Sequence, residues 1–328
     1  MHRFVYVLFL MRTSDIAMSV FFAPRTHLKL QIYIKSSPDQ LRLRQSVRSS
    51  WLKCLPTYDI NYRFVLAQPI NSDLRNAISG EQREFGDLLF FENFTDTYYT
   101  VWKKLSALYI WHRKYRGHSP MLVIDIDGTV FPSVLQRFLS RKYNQLTQLS
   151  AAVVGHCSCS DEYNLFPTTV SSLTAMPCFA GGNGVYRPVR DQSKEEKLVF
   201  DFSLKYFTAV DSWPHGFFEH YCLGFSQLIL PGSDHNFLHR FSAEFQSFDW
   251  SLKHILNDDT MSGLLRRSMN MSILSFPTQF ETVDMLSGLG SGRALRCTRL
   301  GSRCVSFHGH GFADDQLIWQ LHLKHNGC

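Results

Sequence analysis

Residues 121–131 read Met-Leu-Val-Ile-Asp-Ile-Asp-Gly-Thr-Val-Phe, an apolar, β-branched run that ends in two carboxylates two positions apart. Such a run fits a buried strand, and Asp125 and Asp127 then fall at its carboxyl end, where open α/β sheets bind their ligands. A pair of acids there can hold a hard divalent cation in an open shell. The cation can in turn neutralise a diphosphate or a phosphoryl group. Aspartate also caps helices and turns, and Gly128-Thr129 is ordinary turn chemistry, so the rest of the chain must decide what the pair does.

The sequence before it alternates two periodicities. Residues 28–35 alternate apolar and polar side chains, and Ser36-Ser-Pro-Asp39 then opens a helical stretch through Trp51. Residues 61–67 make a second strand, 73–85 a polar helix and 87–91 a third strand. Residues 98–115 carry apolar or aromatic residues at helical spacing and lead into the 121–124 strand. Strands alternating with helices predict an α/β domain with a mostly parallel central sheet flanked by helices.

With 328 residues, 45% of them hydrophobic, the chain is long enough to bury a substantial core. Its net charge of +6 is scattered rather than gathered into a block, which predicts no nucleic-acid patch and suits an anionic small ligand. Eight cysteines, and sequons at Asn93-Phe-Thr and Asn270-Met-Ser, permit a secretory compartment with both asparagines as glycosylation candidates. Residues 4–11 and 16–23 are apolar but separated by Arg12 and Asp15, so residues 1–27 read either as a short signal anchor or as an irregular N-terminus.

Several spaced motifs resemble the β1,3-glycosyltransferases of glycosyltransferase family 31, which include the Fringe-type enzymes. Arg44-x-x-x-Arg48-x-x-Trp51 is similar to that family's Arg-x-x-Ile-Arg-x-Thr-Trp helix, and Glu84-Phe-Gly-Asp87-Leu-Leu to its Glu-x-x-Asp-Ile turn. Phe94-Thr-Asp96-Thr-Tyr98, followed by Lys104, resembles another family segment, without its Asn and Thr. Pro177-Cys-Phe-Ala-Gly181-Gly182-Asn-Gly184 resembles an acceptor-side glycine loop, and Val283-Asp284-Met-Leu-Ser-Gly288 a late acidic motif. His308, with Trp319 eleven residues on, resembles a C-terminal metal-ligand histidine and the helix after it. Ile126 replaces the middle acid of the family's triplet, and Gly128-Thr129 replace its usual Val-Phe.

The resemblance implies a GT-A-type fold, with a nucleotide-sugar-binding half over 28–150 and an acceptor-binding half over 151–328. The distance from Gly184 to Asp284 exceeds the family's, which predicts an insertion at about 190–275. The implied reaction is inverting transfer of galactose or N-acetylglucosamine from a UDP-sugar to the 3-hydroxyl of a glycan on a glycoprotein or glycolipid. Mn²⁺ would sit on Asp125, Asp127 and His308, and Asp284 would be the general base. Arg44, Arg48 and Asp125 would contact the donor, and Gly181 and Gly182 would let backbone approach the sugar. A Golgi membrane protein with a lumenal catalytic domain is the implied setting.

Val123 to Val130 also resembles the opening motif of haloacid-dehalogenase-like phosphatases, with Asp125 as nucleophile, Asp127 as acid/base and Asp314-Asp315 on Mg²⁺. In that family the motif usually lies near the start of the domain, whereas about 120 residues of α/β sequence precede it here. A third reading is a glycosyltransferase relative whose altered acidic motif has lost catalysis.

Overall fold

The computed structural model describes residues 30–97, 100–117, 119–147, 151–157, 222–231, 234–247, 269–276, 279–282, 297–308 and 312–328. Strands β1 (Gln31–Lys35), β2 (Asn61–Gln68), β3 (Leu88–Thr95) and β4 (Met121–Asp125) alternate with helices α1 (Leu41–Ser49), α2 (Ser72–Phe85) and α3 (Val101–Arg116). A short β5 (Gly128–Val130), α4 (Pro132–Thr147) and β6 (Ala152–Cys157) follow. Then come β7 (Cys222–Leu230), α5 (Phe237–Ser247), β8 (Ser272–Ser275), β9 (Phe280–Thr282), β10 (Ser306–His308) and α6 (Phe312–Asn326).

The main sheet has the order β3-β2-β1-β4-β7-β6-β8, and only β7 runs against its neighbours. The predicted mostly parallel α/β sheet is therefore present. Successive residues of its central strands face opposite layers. Ile32, Ile34, Phe64, Leu66, Leu122 and Ile124 enter one core, with Trp51 and the Leu135, Phe138 and Leu139 stripe of α4. Tyr33, Val65, Met121 and Val123 enter the other, against Leu105, Leu108 and Tyr109 of α3 and Phe237 and Phe241 of α5. Both faces of β4 are thus apolar, so cutting Leu122 to alanine should cost about 2–5 kcal/mol.

The first helix ends earlier than its sequence suggests. Ser50 leaves helical geometry, and Trp51–Tyr58 continue as a 3-10 turn that contains Pro56. Two strands fall within the predicted insertion. β7 and β8 lie within 190–275, yet β7 pairs with both β4 and β6, and β8 closes the sheet edge. Their apolar residues Leu228, Ile229 and Ile273 are buried, so these parts of the stretch belong to the core.

Three disulfides tie described segments together. Cys157–Cys222 joins β6 to β7 at residues already paired in the sheet, Cys297–Cys304 closes a short turn, and Cys54–Cys328 fixes the chain end against the 3-10 turn. Disulfides persist in oxidising compartments. No helix among the described residues is long and apolar enough to cross a membrane, and residues 1–27 lie outside them.

Candidate metal centre

β4 delivers Asp125 to the carboxyl edge of the sheet, and the chain then turns back at once into β5. Gly128 makes that turn possible, because a Cβ there would meet Ile124 side-chain carbons at 2.9 Å and the Asp125 carbonyl at 3.3 Å. β5 pairs antiparallel with β10 in a second sheet of order β5-β10-β9, and the register sets His308 opposite Gly128. Pairing carries an imidazole from near the end of the chain to the acids after β4.

The result is a three-residue cluster. One ligand atom each from Asp125, Asp127 and His308 lie within 4.8 Å of one another, and all three side chains are half-buried. His308 Nε2 is 3.3 Å from Asp127 Oδ1. Burial alone would raise the Asp127 carboxyl, but the hydrogen bond and charge of His308 outweigh it and hold the pKa below the usual carboxylate value. The His308 ring also packs against Phe225 of β7, with centroids 5.3 Å apart.

Lys35 was not anticipated. It ends β1 opposite Asp125 in the parallel register, and its Nζ lies 2.8 Å from Asp125 Oδ1 while donating to the Gly224 carbonyl. One ammonium thus offsets one of two carboxylates. Two carboxylate oxygens and an imidazole make a donor set suited to Mn²⁺ and similar divalent ions.

Arg44 and Arg48 belong elsewhere, which corrects their expected role as donor contacts. Arg44 is fully buried, and its guanidinium donates to Glu81, Ser36 Oγ and the carbonyls of Ser37 and Pro38. Arg48 donates to Glu81 and to both oxygens of Asp87, and stacks over Phe64 and Phe85 at 4.8 and 4.0 Å. Burial opposes the Arg48 charge, but these carboxylates more than compensate and raise its pKa. These guanidinium groups are spent on the fold. Glu81, which no motif flagged, is their shared partner, and Trp51 is buried in the apolar core.

Lys104 is likewise structural. It donates to both Asp96 oxygens and to the Ser36 carbonyl, and burial lowers its pKa despite the attraction of Asp96. Asp284, Gly181 and Gly182 lie outside the described residues, as do the side chains of Asp314 and Asp315. Asn93 is exposed on β3, and Asn270 is exposed in a turn.

A mostly parallel sheet with an acid pair and an imidazole at its carboxyl edge offers a place for a divalent cation and a phosphate-bearing ligand, and the family match over part of the chain supports a glycosyltransferase. Residues 42–174 match the family model described as Galactosyltransferase. No curated protein matches the chain.

Among solved structures, a glycosyltransferase involved in the glycosylation of the major capsid of PBCV-1 is 6% identical. The match covers 88% of this chain and 99% of that one, with a TM-score of 0.42. The galactosyltransferase LgtC, solved with donor and acceptor sugar analogs, is 12% identical over 90% of this chain and 95% of that one, with a TM-score of 0.39. An inositol-1-phosphate CTP transferase from T. maritima is 10% identical over 92% and 99%, with a TM-score of 0.38.

Proposed function

We propose that this glycosyltransferase moves galactose or N-acetylglucosamine from a UDP-sugar to the 3-hydroxyl of an acceptor glycan, with inversion and with a divalent cation. The observation that carries the metal dependence is the convergence of Asp125, Asp127 and His308 from β4, the turn after it and β10. These residues would hold Mn²⁺, which when bound supplies charge neutralisation for the donor diphosphate.

The remaining chemistry falls to the chain. The acceptor 3-oxygen attacks the anomeric carbon from the face opposite UDP. As that bond forms, the bond from the anomeric carbon to the diphosphate oxygen breaks, and UDP leaves with the electron pair. Asp284 is assigned as the base that takes the acceptor proton, on the strength of its motif. The Asp127 carboxyl stays ionised beside His308, so it is available as a ligand at neutral pH. Lys35 orients Asp125 from the neighbouring strand.

Three disulfides and two exposed sequons agree with a lumenal, glycosylated protein, and the Golgi is the assigned compartment. Titration of the purified protein with UDP, with and without Mn²⁺, tests the reading by calorimetry. Binding should require the metal and disappear in Asp127→Ala. Metal-independent binding, or retention in the variant, would overturn it. Phosphatase turnover lost in Asp125→Ala would transfer the assignment to the hydrolase.

A further inference from the structure

A groove of about 660 Å³ opens between α4, the segment joining β8 to β9, and the 299–303 turn with the end of α6. Its lining carries Arg137, Arg141, Lys142 and Arg303, with His325 beside them, and no acidic residue among the described residues. This is not the metal centre. None of Asp125, Asp127 and His308 lines it, and Gln279 and Arg303 enter it from before β9 and β10, at the end of the small sheet away from His308.

Three guanidinium groups around one recess need an explanation. Arg137 and Arg141 stand one helical turn apart on α4, where like charges oppose each other. Neither makes an ion pair or hydrogen bond with another described residue, unlike Arg44 and Arg48 in the same protein. The opposite wall is held in place. Cys297–Cys304 closes the turn that presents Arg303, and Asn326 accepts from the Gly301 amide and donates to the Arg299 carbonyl.

The groove also has an apolar surface. Phe276 lines it with Lys142 Nζ 5.7 Å from its ring centroid, and Leu300 stands 80% exposed at the rim. An aromatic face beside fixed cations suits a sugar ring that bears anionic groups. A bilayer requires a protruding or flat face, which a recess of this kind does not offer.

We propose that this groove binds a sulfated or carboxylated oligosaccharide, separately from the transfer centre. The guanidinium groups of Arg137, Arg141 and Arg303 pair with its anionic oxygens, and Phe276 and Leu300 cover the apolar side of a ring. The assignment does not depend on the identity of the donor sugar.

The test uses the full chain and a sulfated heparin hexasaccharide, followed by calorimetry at two salt concentrations. Binding should weaken with salt, fall by about tenfold or more in Arg137→Glu/Arg141→Glu, and stay unchanged in Asp127→Ala. Arg303→Gln, made on the exposed turn, should give a smaller loss and guards against misfolding of the double variant. Binding that ignores these substitutions, or equal binding of an uncharged hexasaccharide, would overturn the proposal. So would preference for phosphatidylserine vesicles over the hexasaccharide, which would make the face a membrane contact.

Discussion

Two charged clusters at opposite levels of organisation separate what builds this protein from what it uses. The Arg44, Arg48, Glu81 and Asp87 cluster is closed: Arg44 and Glu81 are buried, and the two guanidinium groups meet two carboxylates. The Asp125, Asp127 and His308 cluster is open. Its three side chains are half-exposed, and Lys35 offsets only one of the two acids. The residue types are alike, but balance and burial differ. A balanced buried cluster has no use for a ligand, whereas an exposed excess of carboxylate is a place for a cation.

The largest effect should come from the closed cluster. Glu81→Ala leaves two buried guanidinium groups without their shared acceptor and should cost about 3–5 kcal/mol in urea unfolding. If the variant stays fully stable yet loses nucleotide binding, the division between the clusters fails. Asp127→Ala should do the reverse. It should leave unfolding within about 1 kcal/mol of the parent, since the side chain is partly exposed, while Mn²⁺-dependent UDP affinity drops by roughly a hundredfold.

Two histidines sharpen the same contrast. His112 is fully buried, with the Tyr33 hydroxyl on its Nδ1 at 2.6 Å and the Ser119 carbonyl on its Nε2 at 2.9 Å. Burial pushes its pKa down to about 4, against the hydrogen bond to Ser119, and also holds the Tyr33 phenol protonated. The unfolded chain therefore binds the proton more readily than the folded one between about pH 6.5 and 4. Stability contributed by neutral His112 is complete above the unfolded value and declines as pH falls through that window, by on the order of 3 kcal/mol. Unfolding measured from pH 7 to 4 should show this slope, and His112→Gln should flatten it.

Much of the first half was legible because its signals are local. β1, β2 and β4 announce themselves by alternation or by unbroken apolar runs. β7 was hidden because its place depends on pairing with β4 and β6, which its own Phe- and Ser-rich surroundings do not encode. Cys222 held a usable clue, since a disulfide to Cys157 ties the two strands. At the site, Asp125, Asp127 and His308 were readable as a set only through motif order. The destination of Arg44 and Arg48 was not, because a guanidinium suits a phosphate and a carboxylate equally well and Glu81 becomes their neighbour only after folding.

Lys35 is where the two kinds of cluster meet, and it predicts the smallest effect. Its ammonium touches Asp125 at 2.8 Å and the Gly224 carbonyl at the same distance, so it both cancels charge and fixes the carboxylate. Lys35 is the permanent cation paired with Asp125, and Lys35→Met would remove that positive charge from the acid pair. If cancellation dominates, the variant should bind Mn²⁺ a few-fold more tightly, because the cation no longer competes with an ammonium. If orientation dominates, the freed Asp125 should bind it more weakly despite the added charge. Calorimetric titration with Mn²⁺ alone, without nucleotide, distinguishes the two, and the half-exposed geometry of Asp125 favours tighter binding. Weaker binding would place Lys35 with the closed, structural clusters and move the boundary between them to the edge of β4.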